Sequence, residues 1–466
     1  MESPVHLLTY HSLAIAIGLL VYVVTAHLSA QRRYPTAAIA WVLFIALLPY
    51  AALPVFLLFG SRKLARPRLA PEQRTTTGAK NHSWVLQTIH ALGQPAPATY
   101  RALQIHADGR EALDALWRTI DGACHSIDVC TFILGPDRIG HEVMQRLGAR
   151  AREGVRVRLL LDGMGSLMAG RPKLDSLQAA GVQISLFVPP LRSSLKGRMN
   201  LRNHRKVVVV DAGHECRRLW SGGRNLASEY FSGDADKAAW HDLSYDLAGA
   251  LVLQAAAIFE RDWAFSISGH PVAPPLQEPL TEAATGQGAH GAQLIASGPD
   301  QIDDTVYALL LSAIYQAHRR IVIVTPYFVP DSALQMALGL AARRGVEVDV
   351  LLPARSNHGL SDLARGRALR ALDEAGARIW LAPQMLHAKL VLIDQQLALA
   401  GSANFDSRSL FLNYEAMMAF HEASDVGRFT AWFEHERRSA TRYIARPPGI
   451  ARDLLEGMVL WIGFQL

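Results

Sequence analysis

His204, Lys206 and Asp211 stand in a His-x-Lys-x4-Asp pattern, and His387, Lys389 and Asp394 repeat it later in the chain. An imidazole and an ammonium two residues apart on an extended segment project from one face, because strand side chains alternate with a period of two. The residues after each lysine, Val207 to Val210 and Leu390 to Ile393, are β-branched or apolar and predict the strands that carry those faces. Each aspartate is an odd number of residues from its lysine, so within the expected catalytic set it points to the opposite face, where a structural role at the strand end is expected. Phosphodiester exchange needs a nucleophile, an acid for the leaving alcohol and cations for the phosphoryl oxygens. Two histidines and two lysines supply all of these without a metal or other cofactor. With an ordinary pKa of about 6.5, one imidazole can attack while the other is protonated to donate.

A polar turn with glycine follows each motif: Ser221-Gly222-Gly223-Arg224-Asn225 in the first case and Gly401-Ser402-Ala403-Asn404 in the second. Asn225, Ser402 and Asn404 are the expected substrate-binding donors, and the glycines allow close backbone approach. Each imidazole also needs a partner on its second nitrogen to fix its tautomer. Glu415 is the candidate for His387, and Asp242, in Trp240-His241-Asp242, the candidate for His204. A solvated surface carboxylate is the competing reading of both acids.

The elements that must position these groups come in duplicate. Ile120, the strand Ile127 to Phe132, Pro136-Asp137, a helical stretch, Gly154-Val155 and the strand Val157 to Leu161 recur as Ile314, Ile321 to Thr325, Pro330-Asp331, a helical stretch, Gly345-Val346 and Val348 to Leu352. A helix-plus-strand unit, Leu174 to Phe187, is echoed by Leu369 to Ala382. Alternating strands and helices predict two α/β units, each with a parallel or mixed sheet flanked by helices.

These motifs resemble those of the phospholipase D superfamily, whose members build one active site from two such repeats. Arg202-Asn203-His204-Arg205-Lys206, Asn225-Leu-Ala-Ser-Glu229-Tyr230, Thr325-Pro326-Tyr327-Phe328-Val329-Pro330 and Leu412-Asn413-Tyr414-Glu415 are similar to segments of its bacterial cardiolipin synthase branch, as is an amino-terminal apolar hairpin with Trp41, Pro49 and Gly60. The pattern departs in spacing: residues 212–221 separate Asp211 from Gly222, but only residues 395–400 separate Asp394 from Gly401. The stretch from Pro353 to Leu386 is also short and lacks the expected aromatic pattern. The resemblance implies two phospholipase D-like α/β domains sharing one site. It also implies transfer of a phosphatidyl group between two phosphatidylglycerol molecules through a phosphohistidine, with His204 as nucleophile and His387 as acid and base. The bacterial plasma membrane is the implied location. Glu415 beside His387 would favour the imidazolium of an acid.

The hairpin is expected from two apolar runs, Leu13 to Leu28, extensible back to Leu7, and Thr36 to Phe59, interrupted only by Pro49 and Pro54, each able to span a bilayer as a helix. Gln31 to Pro35 links them, and Arg62, Lys63, Arg66 and Arg68 follow, an asymmetry that favours a cytoplasmic catalytic portion. The expected organisation is a transmembrane hairpin over 1–62, a linker over 63–100, a first domain over 101–270, a linker over 271–291 and a second domain over 292–466. Two mixed basic or apolar stretches, Val188 to Leu201 and Leu454 to Leu466, suit either a lipid surface or ordinary loop and core packing.

The 466 residues carry 47 Lys and Arg against 41 Asp and Glu, a formal +6 that favours anionic surfaces without demanding nucleic acid, and membrane phospholipid is the expected partner. The three cysteines form no CxxC pair, which argues against a disulfide framework or structural zinc. A hydrolase of the same superfamily, acting on lipid or nucleic acid, is the main competing activity. The paired apolar runs favour lipid over nucleic acid, and the completeness of both motifs argues against a non-catalytic scaffold. Oligomeric state is not legible.

Overall fold

The computed structural model describes residues 4–28, 35–60, 83–170, 173–189, 200–234, 238–269, 291–301 and 303–462. The expected link 31–35 falls outside them except for Pro35, as do the basic stretch 62–68, the linker 271–290, the basic segment 190–199 and the extreme terminus 463–466.

The duplication is structural. In the first copy seven strands lie in the order Arg101–Ile105, Ser244–Ala248, Arg218–Gly222, Val207–Val210, Ser126–Thr131, Arg156–Asp162 and Gln183–Phe187. In the second copy the run Asn413–Phe420, Leu397–Gly401, Leu390–Ile393, Arg320–Val324, Glu347–Pro353 and Arg378–Ala382 reproduces the last six places of that order. Both sheets are mixed. Ser126–Thr131, Arg156–Asp162 and Gln183–Phe187 run parallel, as do their three counterparts, whereas the motif strands pair antiparallel with their neighbours. Parallel neighbours require crossover connections, and the helices Arg138–Arg152 and Ser332–Arg343 provide them. The Pro-Asp pairs seen in sequence start these helices: Asp137 accepts from the Gly140 amide and Asp331 from the Leu334 amide, each at 3.0 Å.

The period of two sets the layers. Val207, Val209, Leu390 and Leu392 turn into one core common to both copies. Val208 and Val210 pack beneath the outer helices of the first copy, and Val391 and Ile393 beneath those of the second. The helices Leu251–Ser268 and Ala423–Arg437 contribute Val252, Ile258, Phe259, Phe429 and Phe433 to the common core.

Two expectations about the margins are corrected. Part of the stretch 63–100 is not a linker: the helix Trp84–Ala91 buries Val85 and Ile89 in the second copy's outer core, and Ala98–Thr99 pairs with Gly291 and Ala292. These residues share a helix face at i and i+4, a signal too short to read in sequence. The second apolar run is also not one helix. It divides into Pro35–Leu47 and Pro49–Phe59 at Leu48, because the ring of Pro49 disfavours helical geometry in the residue before it. With the helix Pro4–Leu28 these segments pack around Tyr22, Ile45, Ala52 and Phe56, while Leu13, Ile17, Leu20, Ile39, Leu43 and Leu47 are exposed. Among the described residues no helix is long and apolar enough to cross a membrane.

Candidate active site

Each histidine sits just before its motif strand, at the end of the sheet where the parallel strands finish, and each is held by the other copy. Arg202–Asn203 pairs in parallel with Asn413 and Tyr414, and the His204 amide donates to the Tyr414 carbonyl at 2.9 Å. Across the site His241 pairs with Leu386, and the His387 amide donates to the His241 carbonyl at 2.6 Å. This backbone exchange decides the carboxylate partners. Glu415 lies 3.0 and 3.1 Å from His204 Nδ1, and Asp242 lies 2.7 Å from His387 Nδ1. The pairing is therefore the reverse of that expected from sequence: each carboxylate serves the histidine of the opposite copy, since the inter-copy ladder places it there. Glu415, placed on His204, gives His387 no support as the acid.

The turns after the hairpins serve this arrangement more than they face open space. A Cβ on Gly223 would stand 2.2 Å from Asp242 Oδ1, and one on Gly401 would stand 2.1 Å from the Ala416 carbonyl oxygen, so both positions require glycine. The Ser402 hydroxyl donates to Glu415, whose other oxygen accepts from Asn413 Nδ2 at 3.2 Å. Asn225 is buried and accepts from the Ile133 amide at 3.3 Å, bracing the loop after Ser126–Thr131. Asn404 is buried with its amide oxygen unbonded among the described residues. The unequal spacings noted in sequence are unequal hairpin loops, Asp211 to Arg217 against Asp394 to Gln396.

Asp211 and Asp394 are corrected as members of the catalytic set. Asp211 accepts from the amides of Cys124, His125 and Ser126, and Asp394 from those of His318, Arg319 and Arg320, at 2.7 to 3.0 Å. Both sit at positive φ, 50° and 51°, at the far end of the motif strand. They tie the start of the neighbouring strand in place, as their odd spacing from the lysines foreshadows.

Lys206 Nζ donates to the His204 carbonyl at 2.7 Å. Lys389 Nζ bonds the His387 carbonyl and lies 2.8 and 3.0 Å from the two ring nitrogens. Burial leads the electrostatics. It lowers His204 to about 4, with Glu415 opposing and both lysines assisting, and lowers His387 to about 3, with both lysines assisting and Asp242 opposing. Burial likewise brings Lys206 down to about 8 and Lys389 to about 7. Burial works to raise Asp242, but His387, Lys389 and Arg224 outweigh it and hold the carboxyl below its usual range. Each histidine thus responds to the lysines of both motifs, which makes the two motifs one electrostatic site.

Three aromatic walls escaped the sequence reading. Phe132 meets His204 edge-on at 5.2 Å, while Tyr230 and Trp240 lie 5.1 and 5.7 Å from the His387 ring. Tyr230 belongs to a segment quoted above, but nothing in spacing alone assigns it to the histidine of the other copy. Arg205 is fully buried, paired with Asp262 and bonded to the carbonyls of Glu415 and Ser297, so it clamps the two copies beneath the site.

Comparison with known proteins agrees with this geometry. Residues 116–263 and 310–437 match the family model described as cardiolipin synthase, phospholipase D-like domain. The chain is 30% identical to cardiolipin synthase 1 of Bacillus cereus over 437 residues, 88% of this chain and 85% of that protein. It is 32% identical to cardiolipin synthase A of Pseudomonas putida over 420 residues, 86% of each. The crystal structure of phosphatidylserine synthase from Haemophilus influenzae shares the fold, with a TM-score of 0.62 at 14% identity over 82% of this chain and all of that one. With a family match over both copies and relatives that cover most of its length, the chain belongs to the cardiolipin synthase family of phospholipase D-type phosphatidyltransferases.

Proposed function

We propose that this enzyme forms cardiolipin and glycerol from two molecules of phosphatidylglycerol through a phosphatidyl-histidine, with His204 as nucleophile and His387 as acid and base. The observation that carries the reading is the crossed pair of carboxylate-held imidazoles with a lysine beside each. Glu415 holds a proton on His204 Nδ1 and leaves Nε2 with its lone pair for phosphorus. As the N–P bond forms, the P–O bond to glycerol breaks and the departing oxygen takes a proton from His387 Nε2. The hydroxyl of the second lipid returns a proton to His387 and attacks phosphorus, and the electron pair of the N–P bond goes back to His204. Lys206, Lys389 and Asn404 bind the phosphoryl oxygens, while Ser402 acts by holding Glu415.

Burial and the two lysines disfavour an imidazolium at His387, lowering it to about 3. A phosphodiester anion reverses the balance, because negative charge beside the rings and lysines favours their protonated forms. Acid catalysis is then coupled to substrate binding. The outward-facing apolar residues of the amino-terminal helices support insertion of that hairpin in the bilayer as an anchor, with the catalytic copies on the cytoplasmic side. The test of the reaction is to incubate the enzyme with phosphatidylglycerol labelled at phosphorus, quench, and map the label. Label on the peptide holding His204, with cardiolipin as product, is expected. Label on that holding His387 reverses the roles, and active turnover with no label refutes the covalent route.

A further inference from the structure

Arg202, His204 and Lys206 occupy alternate positions along one extended segment. The intervening side chains both reach Asp262: Asn203 Nδ2 donates to it at 2.8 Å, and Arg205 is ion-paired with it in the buried core. Arg202 therefore shares the face of the histidine and lysine. It is largely buried, and the one hydrogen bond of its guanidinium among the described residues runs to the Leu201 carbonyl at 2.6 Å.

A second guanidinium stands close by. Arg408 follows Asn404 and donates twice to Asn200, to the side-chain oxygen and to the carbonyl, both at 3.1 Å. Asn200 is itself two residues from Arg202, whose charge is among the influences that lower Arg408 after burial. Carboxylates in the neighbourhood temper the two cations without bonding to them: the charge of Asp162 opposes the lowering of Arg202 by burial, and those of Asp406, Asp162 and Glu415 oppose that of Arg408, while their oxygens serve other donors. Asp162 accepts from the amides of Met164, Gly165 and Asn203, and Asp406 accepts from the amide of Ser409. Among the described residues neither arginine forms an ion pair. Two largely buried guanidinium groups that repel each other beside a phosphotransfer site, with most of their donors unspent among the described residues, are arranged for an anion that arrives from outside.

We propose that Arg202 and Arg408 form a second anion subsite, which holds the phosphodiester of the acceptor lipid while the histidines and lysines hold the phosphoryl group in transfer. Guanidinium forks suit the paired oxygens of such a group. The spacing agrees: same-face positions on a strand are about 7 Å apart, a distance that a three-carbon glycerol bridge between two phosphates can span. The subsite also gives a basis for acceptor choice. Water and small alcohols bring no second phosphate and gain nothing from it, whereas an anionic phospholipid does.

The inference rests on the phosphatidyl-transfer reading, but its first test needs no turnover. Calorimetry on the full chain in detergent would compare glycerol 1,3-bisphosphate with glycerol 3-phosphate. Wild type is expected to bind the bisphosphate at least about tenfold more tightly, as two linked contacts require. Arg202→Gln and Arg408→Gln should each bring that preference to within about twofold, and Arg202→Lys should retain part of it. Equal affinity in wild type, or an undiminished preference in both variants, overturns the subsite. A second arm measures cardiolipin formation against exchange of labelled glycerol into phosphatidylglycerol, and the ratio should fall about tenfold or more in the glutamine variants. A parallel loss of both activities overturns the acceptor assignment. Absence of cardiolipin formation by wild type with glycerol exchange intact would instead sink the proposed reaction, while the bisphosphate preference would still decide the subsite.

Discussion

Replacing Glu415 with Gln should disable His204 and leave the setting of His387 nearly unchanged. The carboxylate is fully buried and within 3.0 and 3.1 Å of His204 Nδ1. A unit charge at about 3 Å in an effective dielectric of about 20 is worth about 5 kcal/mol to the protonated ring, an upper bound on what the amide forfeits. Orientation adds to the loss. Ser402 and Asn413 donate to different oxygens of Glu415 and both oxygens lie against His204 Nδ1, so a glutamine in either orientation sets its NH2 beside the imidazole and against one of those donors. That donor favours the tautomer with the proton on Nε2 and removes the lone pair needed for attack. The corresponding carboxylate-to-amide change in a serine-protease triad costs about 10^4 in turnover, and a fall of about 10^3 to 10^4 is expected here. The diagnostic assay is nitrogen NMR of histidine-labelled enzyme. Glu415→Gln should move the His204 resonances, and Asp242→Asn those of His387. The reverse assignment would refute the crossed arrangement, and near-normal turnover by Glu415→Gln would remove the carboxylate from the mechanism.

Asp211→Asn should destabilise the fold by about 1.5–3 kcal/mol through weakening of its three charge-assisted bonds, a loss read by thermal unfolding at neutral pH. Backbone donors hold the Asp211 carboxyl below its usual range against the pull of burial, so its contribution is present above the ordinary aspartate pKa of about 3.9 and lost as pH falls through the depressed value; the variant and wild type should converge in acid. Lys206→Ala and Lys389→Ala should abolish turnover with little change in melting temperature, because each removes a buried cation that pays a desolvation cost. Since the two lysines have been lowered to about 8 and about 7, the affinity of wild type for dimethyl phosphate, whose own charge is constant, should weaken as pH rises through that range, with proton uptake on binding; pH-independent calorimetry would contradict this. Deletion of residues 1–60 should move the protein from the membrane pellet to the supernatant with circular dichroism of the remaining α/β fold intact, and wild type found soluble without detergent would refute the anchor.

Much of this architecture was legible because it is written twice. The apolar alternation around Val207–Val210 and Leu390–Ile393, the Pro-Asp helix starts and the recurring Gly-Val steps each say little alone, but their common order points to two α/β units with parallel or mixed sheets, and the antiparallel motif strands make them mixed. The motif spacing also placed the aspartates on the opposite face from the lysines, where they bond backbone amides. What could not be read was anything decided between the copies. The assignment of Glu415 to His204 depends on Arg202–Asn203 joining the edge of Asn413–Phe420, a tertiary pairing with no local pattern. Two of the three aromatic walls share this origin, since Tyr230 and Trp240 flank the histidine of the other copy. The break at Leu48 falls at Pro49, one of the two prolines that interrupt the apolar run in sequence.

The crossing has a consequence for how two equal motifs can do unequal work. An imidazole fixed by a carboxylate of its own copy would give each half a self-sufficient dyad, and the repeat symmetry would then pass directly into the chemistry. Here each ring is completed by a different acid in a different setting. Glu415 is itself held by Ser402 and Asn413, and its histidine is the more exposed, with 12% of the His204 side chain accessible against 4% for His387. Asp242 meets a ring that also has Lys389 within 2.8 Å and aromatic walls on two sides. The first environment holds a neutral ring with one nitrogen free, as a nucleophile requires. The second makes the proton on His387 depend most strongly on the anion that offsets Lys389, as an acid that should fire only with substrate in place requires. On the proposed roles, the asymmetry needed for catalysis comes from the residues around two matching motifs, not from the motifs themselves.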